Sequence, residues 1–239
     1  MIQKGEEKVN SNRRTAIIVG VLFITATVAS SLGFVILDPI LNAPDILVNV
    51  SANTTQVIIG VLLLLIDSAA VVGIAVVMFP ILKKHNEALA LGYVGFRVIE
   101  AAIIIIASII LLSLLTLSQE YVRAAAADAS NFQTLGTLLL TVWDWALLLG
   151  IMIVFSLTAL ILNYLLYQSE LVPRWLSGWG LIGAMLLLAA GLLEIFGINL
   201  TDLINLPIAL QEMVFAIWLI VKGFNSSAIV SESAQVDRN

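Results

Sequence analysis

Six ionisable residues, Asp67, Arg97, Glu100, Asp144, Glu194 and Glu212, stand inside runs of Leu, Ile, Val and Ala long enough to lie in a lipid bilayer. A charged side chain at the centre of a bilayer costs roughly 2.5–3.5 kcal/mol on insertion scales. Six of them, each ionised and facing lipid alone, would cost on the order of 15–20 kcal/mol on the same scales. They are therefore expected to face one another, a wet cavity or a bound ligand. Counting the charges sharpens this, because five carboxyls meet a single guanidinium. Arginine keeps its proton, whereas buried acids can neutralise. Either several of the acids carry protons at neutral pH, or a cation or cationic ligand sits among them. Proton relays and cation sites both use such groups.

Depth separates the six. Asp67 lies 11 residues past Gln56, ~16 Å at the helical rise, and Glu100 lies 12 past Ala88, ~18 Å. Arg97 and Glu100 are spaced i, i+3, so they share a helix face and can pair. With Glu212 on the last apolar segment, Asp67, Arg97 and Glu100 form the deep set, read as ligand-binding or proton-relay residues. The plainer alternative for the pair is an ion pair that docks two helices. For Asp67 and Glu212 it is a protonated acid bonded to a backbone carbonyl or a hydroxyl. Asp144, framed by Trp143 and Trp145, is expected at headgroup level, and Glu194, five residues before Asn199, is shallow. Together with Gln211, beside Glu212, these two form a secondary polar group.

The elements that must position these residues follow from composition. Of 239 residues, 61% are hydrophobic and 11% charged, with a mean hydropathy of +1.08. A soluble domain carries about 25% charged residues, so this chain must use lipid as its main solvent. Six segments reach the ~20 residues that a span needs: 15–37, 56–82, 88–117, 134–166, 174–198 and 205–223. Backbone groups cannot stay unpaired in hydrocarbon, and these runs are too long and continuous for barrel strands. The fold class is therefore all-α, a six-helix transmembrane bundle. Of 11 basic residues, nine (Lys4, Lys8, Arg13, Arg14, Lys83, Lys84, Arg174, Lys222 and Arg238) fall on one side of it. Arg123 is alone on the other. That asymmetry predicts cytoplasmic N- and C-termini. The first apolar run is longer than a signal-peptide core and reads as an uncleaved anchor.

Residues 1–14 and 225–239 are expected to be cytoplasmic tails around a single domain, 15–224. The linkers at 83–87 and 168–173 are short, so the helices they join should be antiparallel neighbours. The segment 38–55 should lie on the outer surface, and 119–133 should extend the third span. Ala69 with Gly73, and Gly180 with Ala184, give close-approach faces. Pro80 should bend the second span. Trp175 and Trp179 are expected at the inner interface, Trp143 and Trp145 at the outer one.

Several functions are excluded. The chain has no Cys and one His, His85, so thiolate and multi-imidazole sites are absent. A net charge of −5 without a basic stripe argues against nucleic-acid partners. Gly178-Trp-Gly-Leu-Ile-Gly183 matches a dinucleotide fingerprint literally, but no strand precedes it, and helix packing explains it better. No cofactor is expected, and the metal question is open only for an all-carboxylate site.

Four stretches resemble the domain-of-unknown-function 4386 family: R-R-T-A before the first span, A-L-A-L-G-Y-V-G-F-R-V-I-E-A-A (88–102), L-V-P-R-W-L-S-G-W-G-L-I-G (171–183) and P-I-A-L-Q-E-M-V-F-A-I-W-L-I-V-K-G-F (207–224). The resemblance covers about residues 12–224. It implies a prokaryotic integral membrane protein and a helical bundle, and it carries no activity. Arg97, Glu100, Arg174 and Glu212 fall on its motifs, whereas Asp67 and Asp144 do not.

The functional expectation is a protein of the cell (cytoplasmic) membrane that binds or transports a small molecule, lipid or cation through its acidic cluster. In that role Asp67 and Glu100 exchange protons or hold a cation, Arg97 is a counter-ion, and Glu212 guards the outer mouth. An intramembrane enzyme acting on a lipid or isoprenoid is the first alternative, using paired carboxyls as acid and base. A structural or regulatory membrane subunit is the second.

Overall fold

In lipid, every backbone N–H and C=O must find its partner inside the protein, and a helix does so within one segment. The computed structural model describes residues 2–124, 129–198 and 204–225, with side chains described from residue 12 onward. Among the described residues the chain is helical and contains no strand. Helix α1 covers Ile2–Leu41, α2 Ile46–Ala52, α3 Thr54–Leu82 and α4 Glu87–Arg123. α5 (Ala129–Leu147), a π-helical turn (Leu148–Val154) and α6 (Phe155–Ser169) follow without a break. α7 (Arg174–Ile195) and α8 (Leu206–Val221) complete the chain.

Five stretches are long and apolar enough to cross a membrane: Asn12–Leu41, Thr54–Leu82, Glu87–Arg123, Ala129–Ser169 and Arg174–Ile195. The protein is thus a multi-pass membrane protein. α8 is equally apolar but has 16 residues, a rise of ~24 Å against a hydrocarbon core of ~30 Å. Within the segment expected as the N-terminal tail, α1 already begins at Ile2, because the apolar run from Thr15 supplies a nucleus onto which the preceding residues propagate. Of the other expected tail, 225–239, residues 226–239 lie outside the described residues.

Capping residues set several boundaries. The Asp45 side chain accepts from Val48 N at 3.3 Å and starts α2, which turns Leu47 and Val50 inward within the segment expected on the outer surface. Asn86 accepts from Leu89 N at 3.0 Å and starts α4. α8 stops at Gly223, whose φ of +76° suits glycine. As expected from the short linkers, α3 packs on α4 and α6 on α7. Gly180 packs directly on Asn163 of α6, and Gly73 on Leu22 of α1.

The helices close a ring in the order α1, α3, α4, the α5–π–α6 rod, α7, α8 and back to α1. One end holds Arg13, Lys83, Lys84, Arg174 and Lys222, and is called here the basic end. There all members of the ring share one core, including Val19, Met78, Tyr93, Leu165, Leu176 and Leu219. At the far end the core divides. α1 to α5 pack around Leu37, Leu47, Leu64, Leu111 and Trp143, whereas the π turn, α6, α7 and α8 pack around Met152, Ala184, Leu187 and Ile208.

Among the described residues, the clamp between α1 and α8 lies toward the basic end. Arg13 donates from Nη1 to Leu219 O at 3.0 Å and from Nη2 to Ile220 O at 2.6 Å, satisfying the last carbonyls of α8 and complementing its dipole. At Gly20 a Cβ would stand 2.6 Å from Ala216 O and 2.7 Å from Ile220 Cγ1, so only glycine allows this approach. Gly20→Leu is expected to force α1 and α8 apart and to destabilise the protein by about 1–3 kcal/mol, the usual range for overpacking. Thermal unfolding of the purified variant in detergent checks this, and an unchanged midpoint would contradict the clamp.

Candidate functional site

Between the undivided core and the divided one lies a cavity of about 220 Å³. Four of the ionisable residues picked from the sequence line it: Asp67 from α3, Arg97 and Glu100 from α4, and Glu212 from α8. The convergence follows from register. Arg97, Glu100 and Ile104 recur on one face of α4, which points into the ring. Leu64, Asp67, Val71 and Ile74 do the same on α3.

Arg97 sits at the floor of the cavity and is 1% exposed. Its Nη1 donates to both oxygens of Glu100, at 3.0 and 3.2 Å. Its Nη2 lies 3.8 Å from Glu212 Oε1, and its Nε donates to the Tyr93 hydroxyl at 3.4 Å. Three rings surround the guanidinium, with centroids 5.9 Å away for Phe23, 5.6 Å for Tyr93 and 5.6 Å for Phe155. Such cation–π contacts strengthen where water is excluded. The Thr158 hydroxyl lies 3.4 Å from Glu100 Oε2 and 2.9 Å from Val154 O. It has one hydrogen and the carbonyl is nearer, so Arg97 is the principal donor to Glu100.

The other acids differ in their partners. Glu212 reaches Arg97 only at 3.8 Å, beyond hydrogen-bond range. It lies at the depth of the guanidinium rather than at the mouth where the sequence suggested it, and Asn205 takes that outer position. Asp67 makes no hydrogen bond and no ion pair among the described residues. The carbonyl or hydroxyl partner expected for a structural acid is therefore missing there. Three carboxyls and one guanidinium share this void.

The secondary polar residues divide. Gln211 is 2% exposed and joins three helices, since its Nε2 donates to Asn163 Oδ1 of α6 and to Leu176 O of α7, both at 3.2 Å. Asp144 is exposed on the outside of the rod and does not reach the cavity. Gly150 packs on Ile103 of α4, and Asp144 lies six residues farther out, so it stands ~33 Å of helical rise from Glu87. That distance fits the expected headgroup level. Trp143 does not share it as an interfacial anchor, because it is 3% exposed in the far-end core while Trp145 faces out. Two residues i, i+2 on a helix point in nearly opposite directions. Glu194 is in the last turn of α7, and its Oε2 has no partner among the described residues. The charge count at the cavity is thus three acids to one base, not five to one.

Sequence reasoning missed Phe23, Tyr93, Phe155, Thr158 and Asn163. Tyr93 was within reach, being one turn before Arg97 on the same face. Asn163 is an amide alone in an apolar run, and a search widened from charges to amides would have paired it with Gln211. Among the described residues no group of three or more His, Cys, Asp or Glu is arranged to hold a metal ion.

A family model described as a domain of unknown function (DUF4386) matches residues 18–223. The chain belongs to this family. No curated protein and no solved structure matches it. In this DUF4386 protein the matched region contains the whole cavity, Asp67 included, and both ends of the Arg97–Glu212 contact.

Removing the buried cation should be far more costly than removing a surface one. Arg97→Gln leaves two facing carboxylates uncompensated and is expected to destabilise by about 3–5 kcal/mol. Arg123→Gln breaks only the exposed 3.0 Å pair with Glu120 and should cost less than about 1 kcal/mol. Unfolding of the two variants in mixed micelles compares them. Equal midpoints would show that Arg97 does not organise the site.

Proposed function

We propose that this protein crosses the cytoplasmic membrane six times, with both termini inside, and binds a small molecule, lipid or ion in its acidic cavity as part of a transport-type cycle. One observation carries the reading: Asp67, Arg97, Glu100 and Glu212, from three different helices, line a single void of about 220 Å³. A register-fixing role would require each acid to be bonded, and Asp67 has no such bond among the described residues. Fully ionised, the cluster would hold two excess negative charges, so protons or a cationic ligand must balance it. Exchange of one for the other at Asp67 and Glu212 is the elementary step of such a cycle.

The topology is supported by charge and packing. α8 is short, but it packs against α1 and α7, and Arg13 holds its end level with the start of the apolar run of α1 at Thr15. Arg13, Arg14, Lys83, Lys84, Arg174 and Lys222 then stand on one side, as the positive-inside rule requires. The chain lacks cysteine, which makes single-cysteine mapping clean. In intact cells a membrane-impermeant maleimide should label Asn131→Cys and spare Lys84→Cys. The reverse pattern would invert the orientation, and labelling of both would remove it.

The cavity reading has its own test. Dicyclohexylcarbodiimide, a lipophilic reagent, modifies protonated carboxyls in apolar surroundings. Peptide mapping after treatment should find the adduct on Asp67 and not on exposed Glu120 or Glu170, and Asp67→Asn should abolish it. An unmodified Asp67 would mean that the acid is neither protonated nor reachable from the lipid phase, and the proposed role would fall.

A further inference from the structure

The cavity is built asymmetrically, both in its chemistry and in its opening. Its floor is charged, whereas its walls are apolar, formed by Phe34, Leu64, Val71, Ile104, Ile151 and Ile208 among others. On the basic side it is closed by Arg97 with its ring cage and by the undivided core beneath. On the far side α1 and α8 part after the contacts of Gly20 with Ala216 and of Phe23 with Phe215. From there Thr27, Ser30 and Ser31 of α1 and Asn205 and Ala209 of α8 line the void. Ser31 is already exposed, and its neighbours Val28, Leu32 and Val35 are large apolar residues open to the outside. Ser31 lies only ~12 Å of rise beyond Phe23, so the slot opens among lipid-facing residues, not beyond them.

We infer that the ligand is an amphiphilic organic cation, a protonated amine on a small apolar body, which enters sideways between α1 and α8 and seats its ammonium group between Asp67 and Glu212. The inference rests on the binding reading above and names the ligand class for that same cavity. An anion finds no unpaired positive charge there: Nη1 of Arg97 is committed to Glu100, Nε to Tyr93, and Nη2 faces Glu212, while Thr27, Ser31 and Asn205 at the rim offer neutral donors beside three acids. A metal cation needs a shell of about six oxygens, which walls of Leu, Ile, Val and Phe cannot supply. An ammonium needs only a few acceptors. Among the described residues Asp67 has no hydrogen-bond or ion-pair partner and Glu212 has no hydrogen bond, and the Ser30 hydroxyl, which donates to Ala26 O at 2.9 Å, keeps lone pairs free at the rim. Phe23, Phe34 and Phe155 present rings to a cation arriving from the slot. Entry from the lipid phase suits a molecule that partitions into it and selects against hydrophilic ions.

Three probes of matched size separate the classes: 2-phenylethylammonium, 2-phenylethanol and 3-phenylpropanoate. Binding to the full-length protein in nanodiscs is measured by calorimetry, and protection of Asp67 from carbodiimide by peptide mapping. The ammonium should bind and protect, and the alcohol and carboxylate should do neither. Asp67→Asn should weaken ammonium binding by about tenfold or more, the loss of one charge-assisted hydrogen bond. Ser31→Trp, which fills the slot without changing any charge, should abolish both binding and protection. Binding that favours the carboxylate, or ammonium binding indifferent to both Asp67→Asn and Glu212→Gln, overturns the ligand class. So does an Asp67 that the carbodiimide still modifies while the ammonium neither binds nor protects, and in that case the cavity reading stands. An Asp67 that is neither modified nor able to take up the ammonium overturns both.

Discussion

A guanidinium does not give up its proton inside a protein, so burying Arg97 imposes a fixed positive charge on whatever surrounds it. Most of the unusual features near the middle of this bundle answer that constraint. Glu100 is one helical turn away and accepts from Nη1 at 3.0 Å, Tyr93 is one turn away on the other side, and Phe23, Tyr93 and Phe155 turn their rings toward the charge. Glu212 then arrives from a helix distant in sequence and lies 3.8 Å from Nη2. With that arrival the charge is more than balanced, and every further acid at the same depth adds to an excess of negative charge. Asp67 is that further acid. A site that needed only a neutral interior would have stopped at Glu100.

The same residues explain why the bundle is firm at one end and divided at the other. Around and below Arg97 the packing is continuous: Arg13 caps α8, Gly20 lets α1 touch it, and Gln211 bonds to both α6 and α7. The first two tie α8 to α1 and the third ties it to α6 and α7, so α8 is held on both sides at the basic end. At the other end no polar contact is recorded between α1 and α8 among the described residues. The far-end core holds α1 to α5 together, and a separate cluster holds the π turn, α6, α7 and α8. The charged floor thus coincides with the level at which the two halves part. That coincidence is what a binding site open to one side requires.

Much of this could be read in the sequence, for definite reasons. Charges inside apolar runs are costly enough to be conspicuous, so Asp67, Arg97, Glu100 and Glu212 stood out, and the i, i+3 spacing gave the Arg97–Glu100 pair directly. Depth from residue counts also kept Asp144 out of the interior, where the structure has it exposed. What could not be read was anything requiring a second helix to be placed. Phe23 and Phe155 are ordinary apolar residues until Arg97 lies between them, and Trp143 resembles an interfacial anchor until α4 is packed on its face. The count of converging acids failed for the same reason, since hydrophobicity fixes how deep a residue lies but not which way it points.

The π turn at Leu148–Val154 settles which way several of these residues point. Relative to a continuous α-helix such a turn holds an extra residue, which rotates the rest of the rod by about 100°. Ahead of it, Trp143 must face the far-end core, and beyond it Phe155 and Thr158 must face Arg97 and Glu100. Undistorted α-helical spacing would satisfy one of these faces and swing the other toward lipid. Two glycines make room for the wider turn, because a Cβ on Gly150 would stand 2.9 Å from Ile103 Cγ2, and one on Gly191 of α7 would stand 2.8 Å from Met152 Cβ. The rod can therefore belong to the far-end core through α5 and to the opposite half through α6. It is the one ring member opposite the slot that does so, which leaves the α1–α8 side as the place where the two halves separate.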